Sequence, residues 1–387
     1  MSNQRSRGLW RSAAVLLAVS VLAAACGDDD DGDGAADTAA AADETDAPAE
    51  TDAPVDDTEA TAETEATAET EAPAETEASA DTEAPAETEA MADGEEMAEP
   101  EQSDLTIGLI PIADVAPVFI GLDRGIFEDY GLNVTTEFAA GGAAAIPAVV
   151  AGDIDMGFGA YPSTLTAIEA GIPLEISSEA VRSGPLFAGL YSMPDSGIET
   201  VEDMAGATVA VNTLDNIVQI AVQAQLEEVG LSLDDVTLVE IGFPDMVAAL
   251  ETGNVDVISV VEPFGSIARN TLDANLIVDM FSGPLADFPV AGFFVTEDFA
   301  ANNPNTIAAF NAAFAEATDI AVNEEGALVE IVPTYTSASP EAAAALNYPN
   351  MVAGLDAEYL QVVSDYMVEQ GLLTEPIVVA DYVVETG

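Results

Sequence analysis

The sequence predicts an α/β fold of two lobes, because strand-like apolar runs alternate with helical stretches and the alternation restarts midway. Residues 104–387 carry this pattern, and its second round begins near residue 207. Strands separated by helices favour βαβ units and a mainly parallel sheet. A region of 284 residues is long enough for one large lobe or two modest ones. We therefore expect residues 104–190 and 291–387 to form one lobe and residues 191–290 the other.

The elements follow one another in a regular order. In the first unit we expect strands over 105–110, 133–138, 154–158 and 174–177, with helical stretches over 117–130, 143–151 and 161–170. In the second unit we expect strands over 207–211, 236–241 and 255–260, with helices over 216–229 and 245–252. The last part predicts a strand over 292–296, then helices over 305–323, 324–334, 341–346 and 356–370. Glycines directly after several helices act as stop signals.

Residues 1–26 have the composition of an export signal. Three arginines precede an apolar run over residues 13–25, which is too short to span a bilayer comfortably. The run ends at Cys26, the single cysteine of the chain. This end resembles a bacterial lipobox, whose cysteine becomes lipid-modified. We expect an exported protein that is lipid-anchored through Cys26 to the outer face of the cell membrane; the alternative is that Cys26 is lost with the signal.

Residues 27–103 have the composition of an acidic spacer. They carry 29 of the 72 acidic residues and no basic residue, within imperfect Ala/Thr/Glu/Pro repeats. Such a segment has too little apolar surface to offset the entropy of ordering. Repulsion among like charges extends it. We expect a disordered tether between the anchor and the folded domain.

The composition excludes several classes of function. Six arginines stand against 72 acidic residues, with no lysine and no histidine, so the net charge is −66. No basic patch is available for nucleic acid phosphates or for an anionic membrane surface. Without histidine and with one cysteine, the chain has no Ser-His-Asp triad, Cys-His pair or zinc site. We expect no cofactor, no metal and a monomeric protein.

An ordered set of short motifs covers most of residues 104–387. The motifs are IFEDYGLNV at 126–134, GG at 141–142, AGDID at 151–155, AGIP at 170–173, VEDMAGATVAV at 201–211, VGL at 229–231, ALETGNVD at 249–256 and EP at 262–263. The set resembles extracytoplasmic solute-binding proteins of ABC importers, in the nitrate, sulfonate, taurine and thiamine-precursor group. The resemblance implies a two-lobe, periplasmic-binding-protein-like (type II) fold with a hinge, an ABC permease as partner, and a small solute in the cleft between the lobes.

Four loops are placed to bind a solute. In open α/β sheets, ligands lie beyond the carboxyl ends of strands, where helix N-termini present free N–H groups. The candidates in these loops are Asp114 and Ala116; Gly141, Gly142 and Ala143; Tyr161; and Thr213, Asp215 and Asn216. Simpler structural roles remain open for them: a turn for the glycines, packing for Tyr161, and helix capping for Asp215 and Asn216. The resemblance adds Phe243 and Glu262.

The charge of the solute depends on Arg182. Of the arginines in the domain, Arg124 and Arg269 are expected at the surface, whereas Arg182 follows a strand and can enter the cleft. There it would hold a carboxylate or sulfonate by paired hydrogen bonds.

If Arg182 lies elsewhere, the candidate acids Asp114, Asp215 and Glu262 have no counter-charge. That arrangement favours a neutral or cationic solute, for example a heteroaromatic ring stacked on an aromatic side chain. Bare helix N-termini still bind anions, so sulfonate and nitrate-like solutes stay open.

Two other functions compete with the receptor. One is an enzyme related to thiamine-pyrimidine synthesis, but the fungal members of the group use an active-site histidine and a cysteine-rich motif that this chain lacks. The other is a structural or adhesive surface lipoprotein, which would have no cleft and no small ligand. We expect the receptor to have no enzymatic activity.

Overall fold

The computed structural model describes residues 97–384, which lie within one compact unit, Thr88–Gly387. The expected signal segment, the lipidation site Cys26 and the tether up to residue 96 lie outside the described residues. The expectations on them therefore stay predictions.

Eleven strands and twelve helices form within residues 97–384. The strands are β1 (Asp104–Leu109), β2 (Asn133–Phe138), β3 (Met156–Ala160), β4 (Leu174–Arg182), β5 (Ala188–Ser192), β6 (Thr208–Val211), β7 (Thr237–Glu240), β8 (Val257–Val261), β9 (Asn275–Asp279), β10 (Pro289–Thr296) and β11 (Asn350–Met351). The helices are α1 (Ala116–Arg124), α2 (Ile126–Asp129), α3 (Gly142–Ala151), α4 (Tyr161–Glu169), α5 (Ile217–Glu228), α6 (Phe243–Glu251), α7 (Phe264–Leu272), α8 (Glu297–Asn302), α9 (Pro304–Asn323), α10 (Ala327–Tyr335), α11 (Pro340–Ala343) and α12 (Ala357–Glu369).

The strands form two sheets, one in each lobe. The first sheet has the order β11-β4-β10-β3-β1-β2 and the second the order β7-β6-β8-β5-β9. In both sheets three parallel strands are followed by an antiparallel strand, β10 in the first and β5 in the second. Four of the six strands of the first sheet and four of the five of the second run in one direction, so both sheets are mainly parallel, as expected, with antiparallel strands among them. Both sheets are mixed because β5 and β10 each follow a passage of the chain from the other lobe and pair in the opposite direction.

The chain passes between the lobes over residues 183–187 and 280–288. Ser183 joins the two passages: its hydroxyl donates to the Leu285 carbonyl at 2.8 Å and accepts from the Phe288 N–H at 2.7 Å. Each passage contains a non-glycine residue with positive φ, Leu186 at 60° and Asp287 at 53°. Such values are uncommon outside glycine, so both passages have tightly defined turns.

The second lobe begins at β5. The expected boundary between residues 190 and 191 falls inside this strand, which pairs with β8 and β9 of the second sheet. Neither β5 nor β9 was expected from the sequence.

The folded domain includes residues before 104, the position at which it was expected to begin. The Glu101 carboxylate accepts from the N–H groups of Asn305 (3.3 Å) and Thr306 (3.0 Å), in the first turn of α9. Gln102 donates from its side chain to Asp155 at 2.9 Å. A carboxylate at a helix N-terminus satisfies N–H groups that have no partner within the helix. Because residues 27–103 contain many acidic residues, the sequence did not distinguish Glu101 as a capping residue.

Helix α9 supports the strand that returns to the first lobe. Phe310 and Phe314 pack edge-on against Phe293 of β10, each with ring centroids 5.0 Å apart. These side chains are fully buried. The packing fixes β10, whose first residues reach the space between the lobes.

Candidate functional site

A small cavity of about 30 Å³ lies between the two lobes. Both lobes supply its walls, at the carboxyl ends of their central strands. The first lobe contributes Ile110, Ile112, Asp114, Gly142, Phe158, Ala160, Val290 and Ala291, and the second contributes Asn212, Asn216, Ile217, Val218, Phe243 and Val261. The space has room for about two water molecules. The lobes are therefore closed on each other, and a larger solute requires them to separate.

Four helices begin at the cavity wall. Gly142 and Phe243 are the first residues of α3 and α6, Ala160 directly precedes α4, and Asn216 directly precedes α5. Helix N-termini carry partial positive charge and free N–H groups. The Asn216 side chain accepts from the N–H of Val218 at 3.0 Å and caps α5, as the sequence had left open. The starts of α3, α4 and α6 have no side-chain cap.

The lobes touch directly beside the cavity. A Cβ atom at Gly141 would lie 2.6 Å from the Thr213 hydroxyl of the other lobe. The Ala113 N–H of the first lobe donates to the Glu262 carbonyl of the second at 3.0 Å. Gly141 therefore permits this approach by lacking a side chain.

Gly142 has a different role from its neighbour. A Cβ atom there would lie 2.5 Å from the Cα of Gly159, so the start of α3 packs backbone to backbone on β3. A contact between two backbone segments cannot be relieved by moving a side chain.

Asp114 is the charged residue of the cavity wall. It lies in the short turn that leads into α1, is 2% exposed, and its Oδ1 has no hydrogen-bond partner among the described residues. Burial raises the pKa of Asp114 to about 7. Removal from water disfavours the charged form of a carboxyl group. At neutral pH this carboxyl group is therefore close to the midpoint of its titration.

Tyr335 supports the loop that carries Asp114. Its hydroxyl donates to the Ile112 carbonyl at 3.1 Å, and its ring stacks on Phe119 with centroids 3.9 Å apart. Burial, and next the charge of Asp114, raise the pKa of Tyr335 well above its usual value.

Asn212 and Asn216 form the amide part of the wall. The Asn216 side-chain amide donates to Asn212 Oδ1 at 3.0 Å, and both side chains are buried. Asn212 belongs to the loop that the sequence singled out, although it was not among the candidates. Nothing in the sequence distinguished Asn212 from the other polar residues of the loop.

Arg182 lies outside the cavity wall. Its guanidinium donates to Glu179 Oε2 from Nε at 3.1 Å and from Nη2 at 3.0 Å, and it covers the Tyr359 ring at 3.8 Å from the centroid. Burial raises the pKa of Glu179, and Arg182 opposes this. The expectation that Arg182 enters the cleft is corrected, because a buried carboxylate on its own strand engages it instead.

The Glu262 carboxylate forms its hydrogen bonds outside the cavity. Its Oε1 accepts from the Ser266 hydroxyl at 2.8 Å and from Arg269 Nη2 at 3.0 Å, and its Oε2 accepts from the Ser266 N–H at 2.9 Å. Burial raises the pKa of Glu262, and the bonds from Ser266 and Arg269 oppose this. Glu262 thus anchors the first turns of α7 and does not line the cavity. Arg269 is its partner and not a free surface residue, contrary to the expectation.

The remaining candidates lie near the cavity without lining it. Tyr161 is buried in the first lobe. Its hydroxyl packs so closely on Gly292 that a Cβ atom added there would lie 2.6 Å away. Asp215 is exposed, and its N–H donates to Gln219 at 3.0 Å. Ala143 directly follows the wall residue Gly142, and Ala116 comes two residues after Asp114. Asp114, Gly142, Asn216 and Phe243 are the candidates that line the wall, and Gly141 and Thr213 approach each other from the two lobes.

The other wall residues were not expected from the sequence. Most are aliphatic or aromatic residues such as Ile110, Phe158 and Val290. Residues of these types fill cores as often as cavities, so their type alone carries no signal.

No basic side chain lines the cavity within the described residues. Arg124 donates to both oxygens of Glu324 at 2.7 Å, Arg182 pairs with Glu179, and Arg269 pairs with Glu262. The chain contains no lysine or histidine. Positive potential at the wall therefore comes from helix N-termini alone.

A family model matches most of the described chain. The sequence model of the NMT1-like family matches residues 98–332. The chain belongs to the NMT1-like family. The match spans both lobes, both passages and all wall residues of the cavity.

Solved structures and curated relatives resemble this NMT1-like chain. The alkanesulfonate-binding protein SsuA from Xanthomonas axonopodis pv. citri, solved with MOPS, is 19% identical and superposes with a TM-score of 0.63 over 73% of this chain and 98% of that one. The superposition confirms the type II periplasmic-binding-protein-like fold.

Two curated relatives match over part of their length. The nitrate import ATP-binding protein NrtC of Synechocystis sp. is 27% identical over 43% of this NMT1-like chain and 28% of its own. The 4-amino-5-hydroxymethyl-2-methylpyrimidine phosphate synthase of Aspergillus parasiticus is 26% identical over 56% of this chain and 65% of its own. Both are covered for less than two thirds of their own length.

Across residues 97–384, no helix combines the length and the apolar character that crossing a bilayer requires. The same residues contain no cluster of three or more acidic or cysteine side chains suited to a metal ion.

Proposed function

We propose that this chain is an extracytoplasmic receptor that captures a small organic solute between its two lobes and delivers it to an ABC import permease. The observation that carries the proposal is the cavity between the lobes, whose wall comes from both lobes of a chain that passes between them twice. A site built from two lobes couples binding of the solute to closure. Similarity to an alkanesulfonate-binding protein and to a nitrate import protein supports this function.

The proposal includes export and anchoring. An arginine-containing start, an apolar run and Cys26 in one short segment support a lipid-modified N-terminus outside the cell. The acidic segment that follows would give the receptor reach from the membrane. Replacing Cys26 with serine should release the protein from the membrane fraction, and unchanged membrane association would contradict the anchor.

An enzymatic function is the second candidate, because the synthase of Aspergillus parasiticus matches 56% of this chain. The absence of histidine argues against it, since histidine is the commonest general acid or base. The cavity wall offers Asp114 as its single carboxylic acid. We therefore propose a binding protein and no enzyme.

Native mass spectrometry of the purified full chain tests the receptor directly. We expect a non-covalent small solute that leaves on denaturation and restores a thermal shift when added back. A gene deletion should abolish import of that solute, and the wild-type gene should restore it. An empty chain that no solute from the growth medium stabilises would favour a structural lipoprotein. Chemical conversion of the solute by the chain alone would favour the enzyme.

A further inference from the structure

Asp114 is a buried carboxylate whose charge nothing in the cavity wall balances. Its Oδ1 has no hydrogen-bond partner among the described residues, although the residue is 2% exposed. The three arginines of the described chain pair with Glu324, Glu179 and Glu262 and do not reach the cavity. A buried carboxylate without a partner is costly. A solute that supplies the partner would remove this cost on binding.

The other side chains of the wall carry no charge, so Asp114 alone can form an ion pair with a solute. The two asparagine side chains bond each other, and Asn216 also caps α5. Residues such as Ile112, Phe158 and Phe243 make much of the remaining surface apolar. Apolar walls around one carboxylate strengthen its electrostatic attraction, because little water screens the charge.

We propose that the solute carries a cationic N–H group, such as a protonated amine, amidine or guanidine, which lies against the carboxylate of Asp114. The inference rests on the receptor function proposed above and names the chemical class of its solute. This class differs from the solutes after which two similar proteins are named, since nitrate and alkanesulfonate are anions. In this chain an anion would meet Asp114 without a basic side chain to hold it.

The uncapped starts of α3, α4 and α6 are the competing feature, because helix N-termini attract acceptor atoms. They contribute partial charges and can bind an acceptor elsewhere on the same solute. Asp114 contributes the one full charge of the wall.

An anionic solute would require Asp114 in its protonated form, whereas a cation requires the ionised form. The two solutes therefore have opposite pH dependence. Tyr335 is the titratable side chain whose pKa responds to the charge of Asp114, and it stays protonated throughout the neutral range.

Acetamidinium and acetate test the class directly, because they share a shape and differ in charge and in donor groups. Each is titrated into the full chain by calorimetry at pH 6 and pH 8, after release of bound solute. We expect acetamidinium to bind at least tenfold more tightly than acetate at pH 8. Its affinity should fall roughly tenfold at pH 6, because a group that titrates near pH 7 is mostly protonated there.

Asp114→Asn keeps the shape of the side chain and removes the charge. It should weaken acetamidinium binding at least tenfold without lowering the melting temperature. Asp153→Asn is the matched control: Asp153 is exposed in the turn before β3, whereas the cavity lies at the other end of that strand. This control should bind acetamidinium like the wild type.

Three results would overturn the inference: tighter binding of acetate, stronger binding at pH 6 than at pH 8, or no acetamidinium binding to the wild type. Failure of the receptor function looks different. It would appear as a chain that carries and imports no solute at all, whereas an anionic or neutral solute in the native mass spectrum overturns only the proposed class.

Discussion

Arg182 and Glu179 form an ion pair within β4, with Nη2 and Oε2 3.0 Å apart. The Tyr359 ring lies under the same guanidinium. The Tyr359 hydroxyl donates to the Asp287 carbonyl, in the second passage between the lobes. The arginine that seemed most suited to an anionic solute therefore ties a strand of the first lobe to α12 and, through Tyr359, to the second passage.

Arg182→Gln tests this structural role. Glu179 is 3% exposed, and loss of the guanidinium leaves its carboxylate largely uncompensated. We expect the free energy of unfolding to fall by about 2 kcal/mol, below the range for a fully buried pair because Arg182 is partly solvated. Affinity for the solute should stay within about twofold in the folded protein. Chemical denaturation and calorimetry measure the two effects, and a loss of affinity with unchanged stability would return Arg182 to the binding site.

Gly141→Ala tests the contact between the lobes. The added methyl group would meet the Thr213 hydroxyl at 2.6 Å when the lobes close. We expect weaker solute binding with little loss of stability, because Gly141 has an extended backbone that any residue adopts. Adding Thr213→Ala should restore part of the affinity by removing the hydroxyl. If the double variant binds no better than Gly141→Ala, the obstruction lies elsewhere.

The pH dependence of stability tests the environment of Asp114. Its pKa is about 7 in the folded chain, against 3.8 for a free carboxyl group. The folded state thus holds a proton that the unfolded state has released, and stability from this group falls as pH rises from about 4 to 7. Asp114→Asn removes this dependence. The melting temperature of the variant minus that of the wild type should increase from pH 5 to pH 8; a constant difference would mean that Asp114 is solvated.

Glu101→Ala tests where the folded domain begins. Its carboxylate caps α9, and loss of a helix N-cap costs about 1 kcal/mol. Glu99→Ala is the control, since Glu99 is exposed two residues earlier. We expect a lower denaturation midpoint for the first variant only. Equal midpoints for both variants would place the end of the tether after residue 103, as the composition suggested.

Most of the fold could be predicted from the sequence because the local patterns are strong. The expected helix over 305–323 is α9, and the expected strand over 133–138 is β2. Strands β5 and β9 could not be predicted. In β5, Gly189 stands where a Cβ atom would meet Leu276 at 2.6 Å, so its small residues reflect packing between strands and not a local strand signal.

The sequence predicted where the candidate site lies but not what each of its residues does. The four loops and the helix starts follow from the order of strands and helices, and Asp114, Gly142, Asn216 and Phe243 do line the cavity. Asp114 and Glu262 are both acids beside apolar residues, and the sequence does not separate them. Their difference is tertiary: Ser266 and Arg269 satisfy Glu262, whereas Oδ1 of Asp114 has no such partner among the described residues.

If the solute binds between the lobes, a disulfide across the cleft should block its entry. A Cβ atom at Gly141 would lie 3.8 Å from that of Thr213, which matches the usual Cβ separation in a disulfide. In the chain with Gly141→Cys and Thr213→Cys, oxidation should hold the lobes closed. Solute added after oxidation is then expected not to bind, because the lobes leave only about 30 Å³ between them, and reduction should restore binding. Unchanged binding to the oxidised double variant, with each single variant as control, would contradict the account.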